Sequence, residues 1–198
     1  ITNLSGIFSN FNNFNLELIW DTRNVTSLYS SFKNASNFDK DISFWITSKV
    51  TTLLYTFYNA TNFNKPLNNW NVENVLNMKG TFKGTHKFNQ ALDNWNVEKA
   101  KNMEEMFNCA LNFNNNISKW NCKSTTNMNF MLCGAEKYNQ DTSFNTENVI
   151  SMNSMFAGCF ELNSSIKLNL LSCENITGIF AACKNLNSKI NLHNTYNL

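Results

Sequence analysis

This chain of 198 residues lacks the features that mark several large classes of protein. It has no apolar run near the roughly 18–20 residues that a membrane-spanning helix needs. Its amino terminus does not pass from basic to apolar residues as a signal peptide does, so the protein is either intracellular or has lost its targeting segment. The 16 basic and 14 acidic residues are scattered and give a net charge of +2. We therefore expect no nucleic-acid partner and no direct membrane insertion.

Proline and glycine are also scarce, with one and six copies, whereas asparagine occurs 40 times and phenylalanine 17 times. Such a mixture would be low-complexity sequence if it had no period. A hydrophobic content of 42% is instead that of a chain that buries a core. The order of the residues decides between the two interpretations, and it is periodic.

One aromatic anchor recurs every 24 or 25 residues, eight times in all. The anchors are Phe8, Phe32, Phe57, Phe82, Phe107, Leu132, Phe156 and Phe180. A second large apolar residue follows each anchor by six positions: Phe14, Phe38, Phe63, Phe88, Phe113, Tyr138, Leu162 and Leu186. A fixed period of this length predicts a repeat protein, in which stacked copies bury the face that one copy leaves exposed.

An almost invariant polar column comes next. It consists of Asn15, Asp39, Asn64, Asn89, Asn114, Asn139, Asn163 and Asn187. The column could be a row of ligand-binding groups. We interpret it as a structural ladder, because stacked amides usually satisfy backbone groups of the neighbouring copy.

Two more apolar columns complete each copy. The aliphatic column is Leu18, Ile42, Leu67, Leu92, Ile117, Thr142, Ile166 and Ile190, and the aromatic column is Trp20, Trp45, Trp70, Trp95, Trp120, Phe144, Leu168 and Leu192. The tryptophans could form a sugar-binding platform. Their common phase with the apolar columns favours a place in the core.

Helical spacing precedes each anchor, as in Val75, Met78 and Phe82. Glycines two residues past an anchor can take the left-handed conformation that ends a helix, and they are Gly84, Gly134 and Gly158. The pattern predicts one short helical turn per copy.

The apolar pair is two residues apart in the 24-residue copies, as in Ile166 and Leu168, which predicts a short strand. It is three apart in the 25-residue copies, as in Leu67 and Trp70, and there we expect a bulge. The predicted fold is an α/β repeat solenoid. It is a leucine-rich-repeat-like stack of eight 24–25-residue coils with one short strand and one helical turn each, and its strands form a parallel sheet. We expect one domain over residues 1–198, a segment of a longer array.

The segments FNKPLNNWNVENVLNMKGTF and FNQALDNWNVEKAKNMEEMF resemble repeats of BspA-like leucine-rich-repeat surface proteins in their mycoplasma-type form. MFAGCFELN and IFAACKNLN are similar to the phenylalanine, cysteine and leucine signature of that family. The resemblance covers the whole chain, although the sixth anchor is Leu132 and the last three copies lack tryptophan. It implies a cell-surface or secreted protein, often lipid-anchored, that acts in adhesion and host interaction.

Residues for catalysis or metal binding are few. His86 and His193 fall in different phases of the repeat, so they cannot assemble a nucleophilic triad. Glu73, Glu98 and Glu147 share a phase, but Lys123 interrupts the series, and we interpret them as solvated turn charges. We expect no enzyme activity, no cofactor and no metal site.

Six cysteines lie in the second half of the chain, and none forms a CxxC pair. A disulfide is conceivable between Cys159 and Cys183 or between Cys109 and Cys133, since each pair lies one repeat apart. The BspA-like signature places cysteine at the phase of Cys159 and Cys183 as a small buried residue, so we favour free thiols.

The residues between the two apolar columns vary from copy to copy, which is typical of a presented surface on a constant frame. The candidate ligand-binding residues are Ser43, Phe44, Asn68, Asn69, Asp93, Asn94, Ser118 and Lys119. We expect a non-catalytic cell-surface or secreted protein that binds a protein or glycan ligand, host-derived ligands included. An intracellular (cytoplasmic) interaction scaffold is the alternative, and a carbohydrate-active enzyme is a distant third.

Overall fold

Neighbouring copies of the repeat lie side by side and run parallel. The computed structural model describes residues 1–196, so the last two residues of the predicted 1–198 domain lie outside the described residues. Counted from the phase of Ile1 and Val25, the copies begin at residues 1, 25, 50, 75, 100, 125, 149 and 173. Parallel bridges join each copy to the next, from Asn3↔Ser27 to Ser151↔Asn175. The prediction of a repeat fold with parallel pairing is confirmed.

The predicted helical turn is wrong, because residues 1–196 contain no α-helix. Around the first seven anchors every second N–H donates to a carbonyl of the next copy. In Met78–Gly84 these four bonds measure 2.7–2.9 Å, the N–H groups of Thr81 and Lys83 bond three residues back, and that of Lys79 donates to Asn77 Oδ1. An α-helix would need the same N–H groups for its own carbonyls. We call this element the turn ribbon; it spans residues 4–10, 28–34, 53–59, 78–84, 103–109, 128–134, 152–158 and 176–182.

Every turn ribbon contains two left-handed residues, two positions before and two positions after the anchor, with φ between 52° and 73°. All six glycines of the chain occupy these sixteen positions. The predicted left-handed conformation of Gly84, Gly134 and Gly158 is therefore confirmed, although these residues end no helix. Glycine is favoured there because it lacks the Cβ that opposes positive φ.

The two strands found in residues 1–196 lie in the last two copies. Strand β1 (Ile166–Asn169) pairs in parallel with β2 (Ile190–His193). Thr142 forms an isolated bridge to Ile166. The prediction of a strand in every copy is wrong for the preceding ones.

Copies 2 to 5 form a β-turn where a bulged strand was predicted. The backbone N–H of each tryptophan donates to the carbonyl three residues earlier, as from Trp70 to Leu67 at 3.0 Å. The extra residue of these 25-residue copies supplies the fourth member of a turn, so the chain reverses and the apolar pair still points inward.

The core is a set of aromatic columns that extend through the stack. Phe32, Phe57 and Phe82 stack at centroid distances of 5.4 and 5.6 Å. Trp45, Trp70, Trp95 and Trp120 are all buried, so their predicted place in the core is confirmed and a tryptophan sugar platform is wrong. A continuous hydrophobic cluster extends from Leu4 to Ile179.

Candidate binding surfaces

The predicted ligand-binding residues lie together on one surface, but on turns and not on strands. They occupy the two central positions of four stacked turns, 42–45, 67–70, 92–95 and 117–120. We call this the turn surface. Asn68 Nδ2 donates to Asp93 Oδ1 at 3.0 Å, and the backbone N–H of Asn94 donates to Asn68 Oδ1 at 3.0 Å. Phe44 is 52% exposed and is the large apolar side chain of the set.

A shallow depression lies on the turn surface between copies 4 and 5. It is lined by Ala91, Asp93, Asn115, Asn116 and Lys119. One acid, one amine and several amides meet there, which suits a small polar ligand better than an apolar one.

The asparagine column forms an unbroken hydrogen-bonded ladder. The side-chain oxygen of each member accepts a bond from the backbone N–H of the next, for example from Asn89 to Asn64 Oδ1 at 2.9 Å and from Asn114 to Asn89 Oδ1 at 2.9 Å. The seven bonds measure 2.8–3.0 Å. Asn15, Asn89, Asn163 and Asn187 are exposed, so the ladder lies at the surface.

The residue after a ladder member often adds a second donor to the preceding ladder member, a feature that sequence reasoning missed. Gln90 Nε2 donates to Asn64 Oδ1 at 3.0 Å, and Asn115 Nδ2 donates to Asn89 Oδ1 at 2.7 Å. Where the ladder member is Asp39, the donor is Lys65, with its Nζ 3.1 Å from the carboxylate. The available signal was that, from the second copy on, the residue after each ladder member has a side chain that can donate: Lys40, Lys65, Gln90, Asn115, Gln140, Ser164 and Ser188. Two of them bond elsewhere, Lys40 to Glu17 and Ser188 to Ser164 O.

A second surface, which sequence reasoning also missed, covers the outward side of the turn ribbons in copies 2 to 4. We call it the tyrosine–lysine patch: Tyr29, Lys33, Tyr55, Tyr58 and Lys83. The rings of Tyr55 and Tyr58 meet edge to face, 5.5 Å apart at 82°. Lys33 Nζ lies 5.7 and 5.3 Å from their centroids, within cation–π distance.

Carboxylates compensate some of the nearby charge. Lys83 Nζ is 2.6 Å from Glu105 Oε1, and Lys79 Nζ is 2.9 Å from Glu104 Oε2. Hydrogen bonding to Glu104 raises the pKa of Lys79. Within residues 1–196, Lys33 forms no ion pair with a carboxylate.

An amide groove borders the tyrosine–lysine patch. It is a shallow depression lined by Asn10, Asn12, Asn34, Ser36, Asn59, Thr61 and His86. Asn34 Nδ2 donates to Asn10 Oδ1 at 2.7 Å, and Asn59 Nδ2 donates to Asn34 Oδ1 at 3.1 Å. The groove therefore presents a fixed row of amides and hydroxyls.

Comparison with known families gives two overlapping matches, over residues 1–93 and 67–168, to the family described as "Mycoplasma protein of unknown function, DUF285". The chain belongs to this family. No curated protein and no solved structure matches the chain. The DUF285 assignment supports a repeat-containing mycoplasma family and leaves the activity open.

The six cysteines of this DUF285 chain are free thiols in the structure. Cys159 is buried, as predicted from its phase, and its Sγ donates to Leu132 O at 3.2 Å. Burial raises the pKa of Cys159 well above its usual value and that of Cys122 to about 12. Cys109 is exposed, and its backbone N–H donates to Cys133 O at 2.8 Å, so these two cysteines lie on adjacent copies.

The residues considered for catalysis lie apart in the DUF285 chain. His86 and His193 are exposed and belong to copies 4 and 8. Glu98 forms an ion pair with Lys123, and Glu147 accepts a bond from Asn145 Nδ2 at 3.2 Å. Among residues 1–196, no group of three or more His, Cys, Asp and Glu side chains is arranged to hold a metal ion. No helix in the same residues is long and apolar enough to cross a membrane.

Proposed function

We propose that this chain is a non-catalytic repeat scaffold of the cell surface that presents a binding face to a protein or glycan ligand. The observation that carries the proposal is a contrast within the turn ribbon. Its inward anchors are aromatic in seven of eight copies, whereas its outward positions change in size and charge. One outward column consists of Ser5, Tyr29, Leu54, Lys79, Glu104, Asn129, Asn153 and Thr177.

The finer assignment of the fold is part of the same proposal. We infer that the stacked copies form a solenoid of the leucine-rich-repeat type, in which a constant frame carries an extended recognition surface. The resemblance to BspA-like proteins supports adhesion and a location outside the cell. The separation of the two histidines supports a role without catalysis, because acid–base chemistry needs groups that converge on one point.

Protease treatment of intact source cells tests the location. We expect an antibody against the repeats to lose its signal while a cytosolic marker survives. Full protection of the repeats would contradict a surface role and would favour the intracellular scaffold, which would use the same face. The purified chain should also adhere to host-type cells in a saturable way, and absence of saturable binding would contradict the binding role.

A further inference from the structure

The tyrosine–lysine patch and the amide groove form one continuous strip across copies 2 to 4. Lys33 and Tyr58 directly precede Asn34 and Asn59 in the chain, so the charged and aromatic edge of the strip adjoins its amide floor. Three chemistries therefore meet: a cation, aromatic rings and amide hydrogen-bonding groups.

The cation is held in place and remains uncompensated. Lys33 Nζ lies over two phenol rings, at 5.7 and 5.3 Å, which restricts the side chain without neutralising it. Lys83, on the far side of Tyr58 at 5.7 Å, is neutralised by Glu105. A ligand that carries one acidic group would find its partner at Lys33.

The aromatic edge depends on the left-handed geometry of the turn ribbon. Tyr55 has φ of 55°, and every other copy also has positive φ at this position: Gly6, Ser30, Gly80, Glu105, Phe130, Ser154 and Gly178. Gly80 makes room for the ring, because a Cβ there would lie 2.6 Å from Tyr55 Cδ1.

The amide floor has unused hydrogen-bonding capacity. Along the row Asn10, Asn34 and Asn59, each side-chain oxygen accepts a bond from the next asparagine. The next position is Gly84, which has no side chain, so Asn59 Oδ1 accepts no hydrogen bond within residues 1–196. A Cβ at Gly84 would overlap this oxygen, so the glycine leaves the acceptor open. Thr61 and His86 line the same depression.

We propose that this strip binds a glycan bearing a carboxylate or sulfate group. The acidic group pairs with Lys33, a sugar ring packs against the part of the half-buried Tyr58 ring that the two lysines leave open, and sugar hydroxyls bond to Asn59 and its neighbours. Sugars need both a flat apolar surface and closely spaced amide partners, and the strip offers the two side by side. The inference rests on the proposed function and names the ligand class of one face.

Titration of the whole chain with three oligosaccharides tests the inference. Sialyllactose supplies a carboxylate, a heparin-derived hexasaccharide supplies sulfates, and lactose is neutral. At constant ionic strength, we expect at least one acidic probe to bind about tenfold more tightly than lactose, the effect of one charge-assisted hydrogen bond. The acidic probe that binds identifies the source of the charge.

Substitutions then locate the site. Lys33→Ala should remove the preference for the acidic probe, and Tyr58→Ala should weaken its binding about tenfold, whereas Tyr58→Phe should leave it unchanged. Lys137→Ala, an exposed lysine outside the strip and the turn surface, is the matched control and should bind like the unmodified chain. Circular dichroism confirms that each variant is folded.

Two results would overturn the inference: equal binding of acidic and neutral probes, or equal losses in Lys33→Ala and Lys137→Ala. The adhesion assay separates this failure from failure of the proposed function. Unchanged adhesion of Lys33→Ala to host-type cells would reject the strip and leave the binding role intact. Absence of saturable adhesion by the unmodified chain would reject the role itself.

Discussion

The stack satisfies its backbone in two different ways, and one residue per copy decides between them. In copies 2 to 5, which we call the turn copies, a 25th residue closes a β-turn before each tryptophan. In copies 7 and 8, the strand copies, the shorter link is extended and pairs as β1 and β2. Buried carbonyls must find hydrogen-bond donors in both regions. Because the two kinds of copy differ in length by one residue, the donor that reaches these carbonyls has to differ as well.

Tryptophan supplies the alternative partner in the turn copies. The indole Nε1 of Trp95 donates to Leu67 O at 2.9 Å, and that of Trp70 donates to Ile42 O at 3.0 Å. The same carbonyls also accept the backbone bond that closes each turn. Phenylalanine and leucine have no such donor. They occupy this column in copies 6 to 8, where no β-turn closes before it.

Removal of one tryptophan should have the largest effect. Trp95→Ala deletes a buried ring and the bond to Leu67 O, so we expect the free energy of unfolding to fall by about 3–5 kcal/mol. Leu168→Ala, at the same column in β1, is the matched variant. Its cost should be smaller, because leucine has a smaller side chain and loses no hydrogen bond. Urea unfolding measures both, and equal costs would argue that neither the larger ring nor the indole bond adds to stability.

Glycine substitutions test whether the turn ribbon is equally crowded in the two regions. Gly84→Ala in a turn copy and Gly158→Ala in a strand copy both place alanine at positive φ, with a cost of about 1–2 kcal/mol. At Gly84 the new methyl group must also displace Asn59, whereas at Gly158 the nearest atoms lie at 3.5 Å.

We therefore expect Gly84→Ala to lose about 1 kcal/mol more than Gly158→Ala, because the Asn59–Asn34 bond is broken. Thermal unfolding of the two variants gives the difference. A larger loss at Gly158 would show that crowding around Asn59 is not the cause.

The sequence predicted the columns of this fold better than its local structure. Phe38, Phe63 and Trp70 are buried where periodicity placed them. The spacing of Val75, Met78 and Phe82 fits a helix, but it also fits successive turns that point one side chain inward about every three residues. A helix and successive turns differ in their hydrogen-bond partners, which for the turns lie one copy away. The sequence of a single copy therefore does not indicate which of the two forms.

The same limit explains which surfaces could be found. Asn68 and Asp93 share a phase, so periodicity alone brings them together on the turn surface. Lys33, Tyr58 and Lys83 also share a phase, so the period alone brings them together. The edge-to-face contact of Tyr55 with Tyr58 belongs to the turn ribbon, whose left-handed residues the sequence indicates only where glycine occupies them.

The asparagine ladder, by contrast, should contribute in both regions, and slightly more at Asn89, because its Oδ1 also accepts a bond from Asn115 Nδ2. Asn89→Leu and Asn163→Leu each remove an acceptor from a backbone N–H of the next copy, at 2.9 and 2.8 Å. We expect each to lower the free energy of unfolding by about 1–2 kcal/mol. Asn94→Leu is the control, since Asn94 is exposed and outside the ladder, and its effect should stay within about 0.5 kcal/mol. Equal losses in all three variants would reject a special role of the ladder.

The smallest effect, and the one with opposite sign, is expected at the junction of the two regions. Tyr138 occupies the phenylalanine column of copy 6 and stacks on Phe113 at 6.1 Å, but its buried hydroxyl has no hydrogen-bond partner among residues 1–196. Burial raises the pKa of this phenol, so the group stays neutral and gains nothing from ionisation. Tyr138→Phe removes an unsatisfied polar atom and keeps the ring, which should raise the free energy of unfolding by about 1 kcal/mol. A fall in thermal stability would mean that the hydroxyl has a partner, with Thr142 as the nearest candidate.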